Sequence, residues 1–168
     1  KTLVSYPKDK KGKYEIPEGT KTIWRNAFKE SNIPAVKIAD SVTHIQSYAF
    51  NSCDNLESIE FGAGISDFGF FGSGGIFAAC KSLKEIEIPP AVENLAPSMF
   101  DASPIEKITF HKGLKQIKSY DFTDCPIIDI TFPASLESIG NCNFYSLETA
   151  RVTDKIPDGL IRCMTRRW

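Results

Sequence analysis

The chain has 168 residues, 42% of them hydrophobic and 24% charged, with a formal net charge of −1. This is the composition of one soluble globular domain with enough apolar side chains for a continuous core. No apolar run approaches the ~20 residues that a membrane-spanning helix needs.

In chain order, residues 1–22 read as a partial first coil. Leu3, Val4 and Tyr6 precede Pro7, and the charged turn Lys8-Asp9-Lys10-Lys11-Gly12-Lys13 blunts the exposed edge. From residue 23 to 152 one pattern returns. Phe28, Phe50, Phe77, Phe100, Phe122 and Phe144 follow one another at 22, 27, 23, 22 and 22 residues. After each comes an apolar residue (Leu56 in the second copy), then one three further on (Ile59), then one two further on (Phe61), then a pair spaced by three (Ile65 and Phe68). The stretch from Ser47 to Phe61 shows the change of rhythm within a copy. Ala49, Phe50 and Cys53 are spaced as on a helical turn, Ile59 and Phe61 as on a strand, so a sharp bend separates them. A repeat of 22–23 residues around L-x-x-I-x-I has the length of one leucine-rich coil. Three apolar positions on a short strand, two on the return path and an aromatic at the turn fill one coil, but a coil cannot cover its own open sides, so neighbours must stack on it. The stacked strands are expected to pair in parallel about 4.8 Å apart through right-handed crossovers.

The residues that carry this pattern resemble a known family. Ile88-Pro89-Pro90-Ala91-Val92-Glu93-Asn94-Leu95 and Phe132-Pro133-Ala134-Ser135-Leu136-Glu137-Ser138-Ile139-Gly140 resemble the IP-x-x-V-x-x-I-G half of the BspA-type leucine-rich repeat, and Tyr48-Ala49-Phe50-Asn51-Ser52-Cys53-Asp54-Asn55-Leu56 resembles its AF-x-x-C-x-x-L half. The resemblance covers nearly the whole chain. Ser31 and Ser103 depart from it at the cysteine, Asp121 and Asn143 at the alanine, and residues 69–76 hold an insertion of four. The fold class implied is α/β: a right-handed solenoid of about six coils, with a parallel sheet on its concave face and turns or helical turns outside. The resemblance further implies a bacterial surface or secreted protein, although no signal peptide is recognisable in the chain.

Cys53, Cys80 and Cys125 share one repeat position, three after the Phe, where other coils carry Ser31 and Ser103. A position that accepts Cys or Ser reads as a small buried slot in which the thiol packs; a Cys53–Cys80 disulfide between adjacent coils is the alternative. Cys142 and Cys163 lie off this column. No zinc site is expected, because no C-x-x-C or H-x-x-x-H pair supplies neighbouring ligands.

A search for catalytic groups finds none that converge. His44 and His111 fall on different sides of the coil and about three coils apart, roughly 14 Å along the axis. Gly72-Ser73-Gly74-Gly75 lacks the context and the lysine of a phosphate loop. Glu85 and Glu87 flank Ile86 at period two, as on the solvated face of a strand. We therefore expect no catalytic site, no cofactor and no metal.

What remains is surface. The strand residues between core positions form two columns on the concave face, one with Glu15, Lys37, Glu60, Glu87, Thr109 and Thr131, the other with Ala35, Ser58, Glu85, Lys107 and Asp129. Their mixed signs and lack of aromatics argue against a nucleic-acid groove. From Asp54 to Glu106 the chain carries nine acidic and two basic residues. The candidate partner-binding residues are Lys37, Glu60, Glu85, Glu87 and Lys107, joined by Phe70 and Phe71 in the insertion, which either fold back over the outer surface or form an aromatic knob. Residues 153–168, with Ile161, Met164 and Trp168, are expected to cap the last coil of a monomer. The function expected is non-catalytic, adhesin-like binding of a protein or glycan; the alternative is a spacer that projects another domain.

Overall fold

The computed structural model describes residues 1–9, 11–68, 74–141 and 144–152. Along the chain run β1 (Thr2–Leu3), β2 (Tyr14–Glu15), β3 (Thr22–Ile23), β4 (Ala35–Lys37), β5 (His44–Ile45), β6 (Ser58–Glu60), β7 (Asp67–Phe68), β8 (Glu85–Glu87), β9 (Lys107–Thr109), β10 (Gln116–Ile117), β11 (Asp129–Phe132), β12 (Ser138–Ile139) and β13 (Thr149–Val152). All pairings are parallel and join adjacent coils, with Val36 opposite Ile59, Ile86 opposite Ile108 and Ile130 opposite Ala150. The chain is thus a parallel β-solenoid whose six ladder phenylalanines each mark one turn.

Two ladders run the length of the molecule, where the apolar pattern announced one. The strand face is built from β2-β4-β6, then β8-β9, then β11-β13. The return path also forms a ladder, β1-β3-β5-β7 and then β10-β12, with Asn94 bridged to Gln116 between them. Its strands are two residues long and leave only one inward residue each, such as Ile23, Ile45 and Ile117, all buried.

Among the described residues there is no helix, so the α component of the expected class is not realised there. The corner around each phenylalanine shows why. In the first complete coil, Ala27 N–H donates to Trp24 O, Lys29 N–H to Asn26 O and Ser31 N–H to Phe28 O, three overlapping tight turns. The five corners from Phe28 to Phe122 each also hold two residues of left-handed backbone, two before and two after the phenylalanine, whereas at the sixth Phe144 itself is left-handed, at φ 54°. The first position carries Asn26, Tyr48, Gly75, Ser98 and Tyr120, the second Glu30, Ser52, Ala79, Ala102 and Asp124. A positive φ every four residues forbids any run of right-handed helix. Gly75 serves a second purpose, because a Cβ there would stand 2.6 Å from the ring of Tyr48 in the preceding coil.

The core is one continuous cluster with a phenylalanine stack as its spine. Phe28, Phe50, Phe77, Phe100, Phe122 and Phe144 are fully buried, with successive ring centroids 4.7–5.8 Å apart and planes within 22° of parallel. Tyr6 takes the equivalent place before Phe28, at 4.9 Å, so the opening segment contributes a coil of its own. Removing one ring from this stack should cost about 3–5 kcal/mol. The Phe corner also carries main-chain bonds between coils, from Phe28 N–H to Ala49 O, Phe50 to Ile76, Phe77 to Met99 and Phe100 to Asp121.

Candidate binding face

The Cys/Ser slot lies against this spine. Cys53 Sγ donates to Phe28 O at 3.0 Å, Cys80 Sγ to Phe50 O at 3.1 Å and Ser103 Oγ to Phe77 O at 2.6 Å. Cys125 Sγ does the same toward Phe100 O at 3.5 Å and reaches Ser103 O at 3.2 Å. The slot therefore selects a small side chain with one donor, which thiol and hydroxyl both supply. All three cysteines are free and buried, which sets aside the Cys53–Cys80 disulfide. Burial raises the thiol pKa of each, that of Cys125 to about 12, so none is poised as a nucleophile. Cys142 and Cys163 lie outside the described residues.

Asp121 stands where other coils place Ala27 and Ala49. It is fully buried, its Oδ2 accepts the Lys118 N–H at 2.8 Å, and its Oδ1 accepts no hydrogen bond from the described residues. Burial pushes its carboxyl up to about 8; the N–H groups of Lys118, Ser98 and Met99 offset only part of this.

On the strand face, the residues between core positions point outward in two columns, as expected. Glu15, Lys37 and Glu60 share one column, and Glu85 faces Lys107 in the other. The charges are paired across coils. Lys37 lies 3.0 Å from Glu60, Lys107 3.3 Å from Glu85, and His111 2.7 Å from Glu87. Arg151 Nη1 donates to both carboxylate oxygens of Asp129 at 2.6 Å. Lys84–Glu106 and Lys115–Glu93 repeat the arrangement elsewhere on the surface. Such exposed pairs add little stability, but opposite charges 22–24 residues apart favour one stacking register. The sequence reading passed over His111 and Arg151 as partners, although each sits about one repeat from a carboxylate within its reach. Phe70 and Phe71 lie outside the described residues. His44, on β5, and His111, just beyond β9, belong to opposite ladders, and no group of three His, Cys, Asp or Glu among the described residues could hold a metal ion.

The strand face is interrupted at two seams, each beneath a groove. Between β6 and β8, where 27 residues separate Ser58 from Glu85, a groove of about 780 Å³ is lined by Ile59, Glu85, Glu87 and Lys107. Between β9 and β11 a second, of about 860 Å³, is lined by Ile108, Thr109, Asp129 and Thr131. No helix among the described residues is long and apolar enough to cross a membrane.

Comparison with known proteins agrees with this geometry. The family model for the BspA type leucine rich repeat region matches six copies over residues 8–128 and 73–160. No curated protein matches the sequence. Among solved structures, the chain is similar to a leucine rich cell surface protein from Faecalibacterium prausnitzii A2-165, with 26% identity, a TM-score of 0.63, and 92% of this chain and 35% of that one covered. It shares the fold of the pneumococcal vaccine antigen PcpA, at 20% identity and TM-score 0.68, covering 90% of this chain and 42% of that one. A leucine-rich repeat protein from Bacteroides ovatus gives 18%, 0.66, 86% and 50% in the same terms. The chain thus spans between about a third and a half of these relatives. With six copies matched in sequence and the same repeating coils in the structure, this chain belongs to the BspA-type leucine-rich repeat family.

Proposed function

We propose that the chain is a non-catalytic, adhesin-like binding module of a bacterial surface or secreted protein, taking a protein or glycan partner on the strand face. The observation that carries this reading is the pair of grooves on that face, set among the outward columns of a rigid ladder. A solenoid offers such an extended surface in place of an enclosed pocket. The relative described as a cell surface protein supports the location. In this reading Lys37, Glu60, Glu85, Glu87, Lys107, Phe70 and Phe71 are the candidate contacts. The domain runs from 1 to 168 as a right-handed, concave, monomeric solenoid without cofactor, nucleic acid or membrane insertion. Residues 153–168, outside the described residues, serve as its cap.

The alternative is a spacer, and one observation favours it: the charges of the strand face largely satisfy one another across coils. Reversing Glu60, Glu85 and Glu87 to Lys separates the two. Capture of host matrix or serum proteins by the immobilised chain should be lost if the face binds. Unchanged capture, or none from the unaltered chain, would leave the spacer.

A further inference from the structure

The return-path ladder carries a surface of its own. Beyond β3 and β5 the first two complete coils stay in register for a few residues, with the Gln46 N–H bonded to Ile23 O and the Asn26 N–H to Ser47 O. Trp24 therefore stands beside Gln46, and Tyr48 follows two residues on, with Ser47 buried between them. One strand spacing and two residues of rise put the Trp24 and Tyr48 Cα atoms roughly 8 Å apart. Each of the two side chains is 47% exposed. The fold requires neither ring. At the same two repeat positions other coils place Ala96 and Ser98, then Lys118 and Tyr120. Neighbouring large aromatics kept in water, where alanine and serine serve elsewhere, point to a contact surface.

The groups around the rings are polar and unpaired. Gln46 Oε1 accepts the Arg25 main-chain N–H at 3.3 Å, which holds that amide in place and leaves its NH2 to donate. The Tyr48 ring is seated against Gly75 of the next coil, so close that a Cβ there would stand 2.6 Å from it. The Trp24 indole N–H, the Tyr48 hydroxyl and the side-chain cations of Lys21 and Arg25 have no hydrogen-bond or ion-pair partner among the described residues. The carboxylates nearest to these cations along the chain are engaged elsewhere. Glu18 Oε1 accepts the Asp40 N–H, and Glu30 lies 2.6 Å from Lys8 and 3.8 Å from Lys29.

Flat rings, neutral donors and two unpaired cations match the chemistry of an acidic sugar. Sugar rings present C–H faces to aromatic rings and hydroxyls to amide, indole and phenol groups, and a uronate carboxylate pairs with guanidinium or ammonium. Two rings are too little for a protein interface, which takes about 800 Å² from each partner. A single-stranded nucleic acid also stacks on rings, but two unpaired cations are few for a polyphosphate and the chain as a whole carries a net charge of −1. We propose that the return-path face around Trp24 and Tyr48 binds a short acidic oligosaccharide, with one sugar stacked on Trp24, the next on Tyr48, and a carboxylate paired with Arg25 or Lys21. This site lies on the ladder opposite the strand face and does not rest on the reading of that face as a binding surface.

The test titrates the full chain by calorimetry with the trisaccharides of galacturonate and guluronate and with a hyaluronan tetrasaccharide. At least one should bind with a Kd below about 1 mM. Its binding should weaken about tenfold in Trp24→Ala and in Tyr48→Ala, and about fivefold in Arg25→Gln, which leaves both rings in place and keeps the test valid if a ring variant loses stability. Added salt should weaken it too. Reversal of Glu60, Glu85 and Glu87 should leave it unchanged. Failure of all three sugars to bind below that limit overturns the proposal, as does binding that none of the three variants weakens, or loss of binding on reversal of the strand-face glutamates. Equal or tighter binding of triglutamate would reveal a general anion patch, that of a neutral galactose trimer would remove the acidic sugar, and that of an oligothymidylate of equal charge would assign the surface to nucleic acid. Each of these three results overturns it as well.

Discussion

Ser103 Oγ donates to the carbonyl oxygen of Phe77 at 2.6 Å and accepts the N–H of Cys80 at 2.9 Å, so one hydroxyl ties a loop corner to the aromatic spine of the coil before it. Ser103→Ala should leave both main-chain groups buried without a partner and cost about 2–4 kcal/mol in urea unfolding. Ser103→Cys should recover at least half of that, because Cys53, Cys80 and Cys125 fill the same slot. Equal losses for the two variants would mean that a thiol cannot replace the hydroxyl at this corner.

The three ladder thiols should be inert in the folded protein and reactive in the unfolded one. Burial raises the pKa of each, which lowers the thiolate fraction at neutral pH and adds to steric protection. Mass spectrometry after brief iodoacetamide treatment should find Cys53, Cys80 and Cys125 unmodified natively and labelled in guanidinium chloride. Rapid native labelling of all three would contradict the buried slot.

Asp121 should make stability fall as pH rises. Its folded pKa of about 8 lies above the ordinary value of 3.8, so between these limits the folded state holds a proton that the unfolded chain has released. The stabilisation is full below 3.8 and is lost as pH climbs through 8, at up to about 1.4 kcal/mol per pH unit. Asp121→Ala, the residue of the equivalent slots at 27 and 49, should flatten that slope and raise the melting temperature at pH 8. A slope unchanged in the variant would assign the pH dependence to other groups.

Ala102, at φ 54°, should prefer to be glycine. Alanine normally outperforms glycine in ordered structure, but a left-handed backbone reverses the order. Ala102→Gly should stabilise by about 0.5–1 kcal/mol, while Ala134→Gly, outside the left-handed region, should destabilise. Thermal unfolding of the pair reads the sign directly.

The period of the aromatic column and the inward strand positions were legible in the sequence because each is repeated six times, and repetition overcomes the weakness of any single short strand. The return-path ladder was not, since two-residue strands such as His44–Ile45 leave only one apolar position to detect. The left-handed corners were hidden for a different reason. Tyr48, Ala79, Glu30 and Asp124 replace the glycine that such turns usually advertise, and the stacked neighbours hold them in place. On the strand face the outward columns were legible, but they were taken as presented charge. That Lys37 meets Glu60, and Glu85 meets Lys107, is visible only when the repeats are laid side by side and side-chain reach is known.

The axial bonding pattern has a mechanical corollary. Stacked rings, corner hydrogen bonds and ion pairs all join one coil to the next, so tension applied at a terminus loads the outermost coil before any other. The chain should peel coil by coil, each 22-residue coil releasing roughly 75 Å of slack and the longer coil with the insertion roughly 90 Å. Under a pulling load this protein behaves as a ratcheted shock absorber whose increments are set by the length of its repeat.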